Sequence, residues 1–225
     1  MGGIAVRNDT IRVMRVPLRR LLAIAVPFGV LAIAPAYLHA YKLTGSSDAP
    51  TLLLGDLAVV NQAAFRLKVP YTQTGRRRVA QPKRGDLVQI LRPDRPLLVF
   101  KRVIGLPGEV IEIRENQVAV NGQPISLRPL PKSDFSWVPE SHHMGSTVYE
   151  EGQHWVAFTP GAGEFRSYGP VHLAADEFFL LGDNRDNSLD CRVWGPLKED
   201  AIRGKVIFTM ATGPRLKRTT RVSPH

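Results

Sequence analysis

Two serines and an aspartate stand side by side in KLTGSSDAPTLLLGD, residues 42–56. Either Ser46 or Ser47 could attack a carbonyl, but a serine hydroxyl is a weak nucleophile at neutral pH and needs a base. A second candidate lies in LLVFKRVIGLPGE, residues 97–109. Strand alternation places Leu97, Val99, Lys101 and Val103 on one face. Within an apolar row an ammonium loses hydration, which favours the neutral amine, and a neutral lysine can serve as a general base. The same residues also fit an edge strand whose lysine reaches water. A third stretch, LGDNRDNSLDCRVWGPL, residues 181–197, is dense in Gly, Asp, Asn, Ser and Arg. It reads either as a polar turn closed by internal salt bridges or as a site wall held in shape by Asp–Arg pairs.

Other chemistries find less support. The six histidines are scattered, at 39, 142, 143, 154, 172 and 225, and neither G-x-S-x-G nor S-x-x-K occurs. A Ser-His triad and a β-lactamase-like site are therefore disfavoured. His142-His143 lacks further ligands at useful spacing, so no metal and no cofactor is expected. Cys191 is the single cysteine, so no intrachain disulfide can form. That suits the cytosol and equally a periplasmic domain that does without disulfides.

The elements that must position these residues follow from the patterning. The chain has 225 residues and a net charge of +10, which points to anionic partners. Leu21 to Leu38 runs 18 positions without a charged residue. It reads as a short transmembrane helix, interrupted by Pro27 and Pro35. Arg7, Arg12, Arg15, Arg19 and Arg20 precede it, so its N-terminus is expected in the cytoplasm and the remainder outside. Tyr37 and Tyr41 are placed for the outer interface. A cleavable signal peptide is the alternative, although Leu38 fits its −3 position poorly. Either way the rest is exported, which removes nucleic acid as a partner and favours a phospholipid membrane.

Beyond Tyr41 short strands alternate with turn signals. Leu57–Asn61, Leu87–Leu91, Leu97–Gly105, Glu109–Ile113 and Gln117–Val120 read as strands. Asn121-Gly122 predicts a type I′ hairpin returning through Ile125–Leu127. Trp155–Phe158, Phe178–Leu181 and Lys205–Met210 follow. The fold class expected is mainly β: an N-terminal transmembrane helix, then a compact β-sheet or barrel catalytic domain with an inserted hairpin or loop region. The domain plan is 1–20 basic and cytoplasmic, 21–38 transmembrane, 41–210 extracytoplasmic, with 129–175 as an insertion, and 211–225 a basic tail. Arg66–Arg84 holds seven basic residues and no acid, a solvated loop or a contact with lipid headgroups.

Taken together, PTLLLGDLAVVNQ (50–62), QPKRGDLVQI (81–90), FKRVIGLPGEVIEI (100–113), NGQPI (121–125) and GDNRDNSLDCRVWG (182–195) resemble the bacterial type I signal peptidases. These are membrane-anchored serine proteases with a Ser-Lys dyad, and the resemblance runs from about Tyr41 to Phe208. It implies Ser47 as nucleophile, three residues before the Pro-Thr, and Lys101 as general base. It places the oxyanion hole at the Ser47 backbone N–H and at position 45, where Gly45 supplies only backbone and space. Ser188 matches a lysine-orienting serine. Arg102, Asp183, Asp190 and Arg192 match charged residues that shape the site. The implied substrates are exported preproteins with small residues at −1 and −3, bound in shallow apolar pockets. A monomer in the bacterial inner membrane is expected.

Two residues depart from the pattern. Asp48 stands where methionine is usual. A carboxylate facing Lys101 would favour the ammonium and oppose the base. On an extended chain, however, it would point away, toward solvent or headgroups. Cys191 replaces the usual serine as a near isostere. Three functions stay open: a general signal peptidase, a specialised relative for pilin or conjugation substrates, and a non-catalytic domain that binds signal peptides. An autoproteolytic repressor would need a DNA-binding N-terminal domain in place of a membrane segment.

Overall fold

The computed structural model describes residues 35–67, 69, 77–136, 138, 146–159, 161, 164–211 and 219–220. The basic N-terminus, most of the expected transmembrane span, His142-His143 and most of the C-terminal tail lie outside the described residues. Among the described residues no helix is long and apolar enough to cross a membrane.

Short strands dominate, as Pro and Gly frequency predicts. In chain order they begin with β1 (Leu38–Lys42), β2 (Leu57–Asn61), β3 (Arg66–Leu67), β4 (Arg77–Arg78), β5 (Leu87–Leu91) and β6 (Leu98–Gly105). Next come β7 (Val110–Arg114), β8 (Gln117–Val120), β9 (Gln123–Pro124), β10 (Leu127–Pro129), β11 (Thr147–Glu151) and β12 (His154–Phe158). The last are β13 (Tyr168–His172), β14 (Glu177–Leu181), β15 (Leu197–Lys198), β16 (Ile202–Met210) and β17 (Thr219–Thr220). One helical turn, α1 (Cys191–Trp194), follows the polar segment after β14.

The main sheet has the order β1-β2-β16-β5-β6-β14-β15, with β17 on β16. Its pairings are antiparallel, and β6 runs through its middle, with Lys101 opposite Val88 and Arg102 opposite Leu87 and Leu181. A four-stranded sheet, β13-β7-β8-β9, and a three-stranded one, β10-β11-β12, accompany it. Asn121-Gly122 turns β8 back into β9 with φ of 51° and 77°, both positive as a type I′ turn requires.

Several elements depart from expectation. Leu38 opens strand β1 instead of closing a transmembrane helix, and Tyr41 packs edge-on to Phe100 at 6.2 Å, with its hydroxyl accepting from Gln62. The apolar run therefore changes use at Leu38, because pairing with β2 satisfies its backbone. The region 129–175 is not one insertion. Its first part contributes β11 and β12 to the three-stranded sheet, whereas β13 joins β7 in another. Strand β6 is not one-sided either. Leu97 is exposed, and from Phe100 to Gly105 both faces are buried.

Three apolar clusters hold these layers. The largest joins Val103, Ile104, Ile111 and Phe178–Leu181 with Cys191. A second joins Leu43, Leu52, Leu87, Phe100 and Val206. A third joins Ala49 and Leu53 to Leu130, Phe135 and Val148. The segment after the paired serines is thus pinned into two cores, by Leu52 on one side and by Ala49 and Leu53 on the other. Each fully buried leucine contributes about 1.5–3 kcal/mol, which holds that turn where the sequence alone shows only polar residues.

Candidate active site

The Ser-Ser-Asp segment lies on the connection from β1 to β2. The N–H of Leu43 donates to the Asp56 carbonyl at 2.8 Å, and that of Gly55 to the Leu43 carbonyl at 2.9 Å, which closes the base of this excursion. At its tip the N–H of Leu52 donates to the Asp48 carbonyl at 2.8 Å. Residues 47–51 therefore form a turn, not extended chain.

That turn decides where Asp48 points. Successive side chains alternate across a strand, but in a helical turn they diverge by only about 100°. Asp48 accordingly lies beside Ser47, buried in the protein. The expectation that it faces solvent or lipid is overturned. The Ser47 hydroxyl donates to Asp48 Oδ2 at 2.7 Å, and Lys101 Nζ donates to Ser47 Oγ at 2.8 Å. Nζ and Oδ2 are 3.8 Å apart. Lys101 comes from the buried half of β6 and is 1 % exposed, so the edge-strand reading of this lysine does not hold. Burial pushes the Asp48 carboxyl up to about 6, against the opposing pull of Lys101.

The segment 182–195 forms the opposite wall. The Asn184 N–H donates to the Ser47 carbonyl at 3.0 Å. Its Nδ2 donates to the Ser46 carbonyl at 3.1 Å, and Asn187 Nδ2 donates to Ser46 Oγ at 3.1 Å. Ser46 is thus a bound neighbour, held by amides, whereas Ser47 meets the lysine. Gly182 is required by proximity. A Cβ there would stand 2.5 Å from the Ser47 carbonyl oxygen and 2.1 Å from Ser188 Oγ.

Behind this wall the charged residues pair. Arg102 donates to both Asp183 oxygens, at 2.8 and 2.6 Å, and to the Gly85 carbonyl at 2.8 Å and the Thr51 hydroxyl at 3.3 Å. Burial alone would raise the Asp183 carboxyl, but Arg102 holds it below the usual carboxylate range. Asp190 receives the Gly182 N–H at 3.0 Å and Arg192 at 2.9 and 2.8 Å. It is likewise held low, Arg192 overcoming the effect of burial. The four charged residues expected to shape the site are all buried and paired in this way.

Two expected roles are placed differently. Ser188 Oγ is buried with no hydrogen-bond partner among the described residues, so the lysine-orienting contact is not formed. The Lys101 head is drawn to Ser47 and Asp48 instead, and Ser188 packs against Gly182. A Cβ built on Gly45 meets nothing within 4 Å, so this position leaves open space beside Ser47. A cleft of about 280 Å³ opens next to Ser188 and Asn187, lined also by Glu164, Phe165, Asp186 and Leu189.

A further buried cluster escaped the sequence reading. Glu151 of β11 pairs through both oxygens with Arg185, Nη1 to Oε1 being 2.7 Å. His154 stands 3.3 Å from Glu151 and 4.0 Å from Asp183. Cys191 is fully buried, its Sγ accepting the Leu180 N–H at 3.2 Å. Burial pushes its thiol up, which leaves it inert. No group of three or more metal-ligating side chains occurs among the described residues.

The described geometry thus brings a serine hydroxyl within hydrogen-bond distance of a buried lysine, against a glycine-tight wall. The profile of the family described as "Signal peptidase, peptidase S26" matches residues 16–211. The chain belongs to this family. Curated relatives agree. A signal peptidase I of Pseudomonas aeruginosa is 29 % identical over 180 residues, 77 % of this chain and 61 % of its own length. One from Pseudomonas fluorescens is 27 % identical, covering 85 % of this chain and 71 % of its own. One from Aquifex aeolicus is 28 % identical, covering 82 % and 80 %. The chain spans under two thirds of the length of the Pseudomonas aeruginosa relative.

Proposed function

We propose that this chain is a membrane-anchored type I signal peptidase, a serine endopeptidase that removes signal peptides from exported preproteins. The observation that carries it is the 2.8 Å hydrogen bond between the buried Lys101 Nζ and the half-buried Ser47 Oγ. Ser47 attacks the scissile carbonyl, and Lys101 serves the proton transfers of the reaction. An acyl-enzyme forms on Ser47 and water releases it. The oxyanion is received by the Ser47 backbone N–H, with open space at Gly45 where a side-chain donor could stand. The substrates are preproteins with small residues at −1 and −3. The apolar segment of residues 21–38 tethers the enzyme to the inner membrane with the catalytic domain outside, which concentrates it where cleavage sites emerge.

The test is cleavage of an A-x-A preprotein by the purified full chain in detergent and lipid. Cleavage by the wild type, lost in Ser47→Ala and in Lys101→Ala, is the expected result. The Asp48 carboxylate against the dyad favours one second reading, a silenced relative that binds preproteins. Binding without cleavage by the wild type would establish it.

A further inference from the structure

The run Arg66–Arg84 carries seven basic residues and no acid, and the chemistry at Ser47 uses none of them. Strands β3 and β4 pair within it, Arg66 opposite Arg78 and Leu67 opposite Arg77. Cross-strand partners share a face and neighbours alternate, so the two pairs look opposite ways. The first pair is latched to the protein. Arg66 and Arg78 both meet the buried carboxylate of Glu199, and Arg66 also meets Asp200. The second pair is left open. Leu67 is 44 % exposed, and Val69 and Val79, at 51 % and 53 %, are the two most exposed large apolar side chains among the described residues. Arg84 is taken by Glu109, but Arg77 and Lys83 are exposed and form no ion pair among the described residues.

The place of this hairpin in the fold points to its partner. It begins four residues after Gln62, whose N–H donates to the Tyr37 carbonyl at 2.8 Å. Four residues of chain reach at most about 14 Å. Tyr37 is the last residue but one of the apolar segment 21–38, and Leu38 pairs with Asn61 at the end of β2. A tether that crosses the bilayer therefore delivers the root of the hairpin to the bilayer surface. There, exposed aliphatic side chains gain by entering the acyl boundary, and guanidinium and ammonium groups beside them gain from phosphate oxygens.

We propose that the β3–β4 hairpin is a lipid-binding arm, which seats Leu67, Val69 and Val79 in the bilayer interface and sets Arg77 and Lys83 on the headgroups of anionic phospholipids. This rests on the membrane-anchored reading above. Glu199 leads directly into β16, so the latch ties the arm to the main sheet. A single tether leaves a domain free to roll against the membrane. A second, rigid contact removes that freedom and holds the Ser47 turn, which runs into β2, at one orientation to the lipid surface.

The experiment places a bimane fluorophore on Ala80→Cys in the full chain. Ala80 is exposed beside the arm, while Cys191 is buried with an inert thiol, and the unsubstituted chain shows that it takes no label. The protein is reconstituted into vesicles of phosphatidylcholine, or of phosphatidylcholine and phosphatidylglycerol in equal parts, each with a nitroxide-headgroup quencher. Quenching is expected in the mixed vesicles, with little in phosphatidylcholine alone. It should fall about twofold or more at about 1 M salt, where the Debye length is about 3 Å. Arg77→Glu/Lys83→Glu should cause the same loss and keep the wild-type melting transition. Equal quenching in the two vesicles, or quenching that the charge reversals leave unchanged, overturns the proposal. So does a bimane that responds to added preprotein and not to lipid, which would make the arm a substrate contact. Flotation separates this arm from the tether. A chain that floats with both vesicles and is quenched in neither has the tether without the arm. A chain that floats only with the mixed vesicles, and is quenched there, has the arm without the tether. A chain that floats with neither has lost both.

Discussion

Two buried polar clusters meet at Gly182, and they are built on opposite terms. On one side Arg102–Asp183, Arg192–Asp190 and Arg185–Glu151 each join a planar guanidinium to both oxygens of a carboxylate. Their carboxyl groups are held below the usual range. On the other side Ser47, Lys101 and Asp48 share two single hydrogen bonds, Asp48 Oδ1 has no partner among the described residues, and burial pushes the carboxyl up. A group with every lone pair engaged is fixed in one protonation state. A group with spare capacity near neutral pH can exchange a proton. The difference separates scaffold from the proposed reactive centre, with Lys101 and Arg102 adjacent in β6 on either side of it.

The sharpest way to break that contrast is to remove a reactive partner and ask whether the scaffold notices. Ser47→Ala and Lys101→Ala should each lower preprotein cleavage by about 10⁴-fold or more. Both proteins should keep the wild-type melting transition within a few degrees, measured by circular dichroism. The converse change is Asp183→Asn, which leaves Arg102 buried without its counter-charge. Removing one partner of a buried pair costs about 3–5 kcal/mol, so the urea midpoint should fall steeply and activity should fall with it.

Glu151 sharpens the comparison by pH. Burial would raise this carboxyl, but Arg185 overcomes it and lowers it from 4.5 to about 2. A depressed carboxyl contributes stability above its unfolded value and loses it as pH falls toward the folded one. The shift is worth about 3 kcal/mol. Glu151→Gln should therefore be less stable than the wild type at pH 7, and the gap should close between pH 4.5 and 2 in urea titrations. The smallest effect belongs to Cys191→Ser. The thiol is inert, accepting the Leu180 N–H and donating to the Phe178 carbonyl at 4.0 Å, so cleavage should be unchanged and stability should drop by no more than about 1–2 kcal/mol. Loss of cleavage in this variant would move chemistry to a residue that the geometry keeps out of it.

Much of this was legible beforehand for identifiable reasons. Strands β2, β5 and β8 follow from alternation between turn signals, and the Asn-Gly turn from its need for positive φ. Lys101 stood out because a lysine in an apolar row needs a partner. Its meeting with Ser47, 54 positions away, came through the family resemblance and not through local pattern. The orientation of Asp48 was hidden because it depends on a turn, and the turn is set by Leu52 and Leu53 entering separate cores. Strand β11 was missed because it falls in the stretch read as an inserted hairpin or loop, whereas Glu151 is buried against Arg185 from a distant segment. Strand β13 contains Pro170, which argues against a strand, yet it pairs on one side only and bulges between Tyr168 and Val171.

The amide of Asn184 donates to the Ser47 carbonyl, and its side chain holds the Ser46 carbonyl. The tip of one loop and the first residues of another are therefore a single mechanical piece. Thermal motion that carries the wall at 182–184 outward carries Ser47, the proposed nucleophile, with it, so Ser47 does not drift against Asn184. Deuterium uptake at the Asn184 amide then becomes a clock for the whole centre, ticking only when the two loops part.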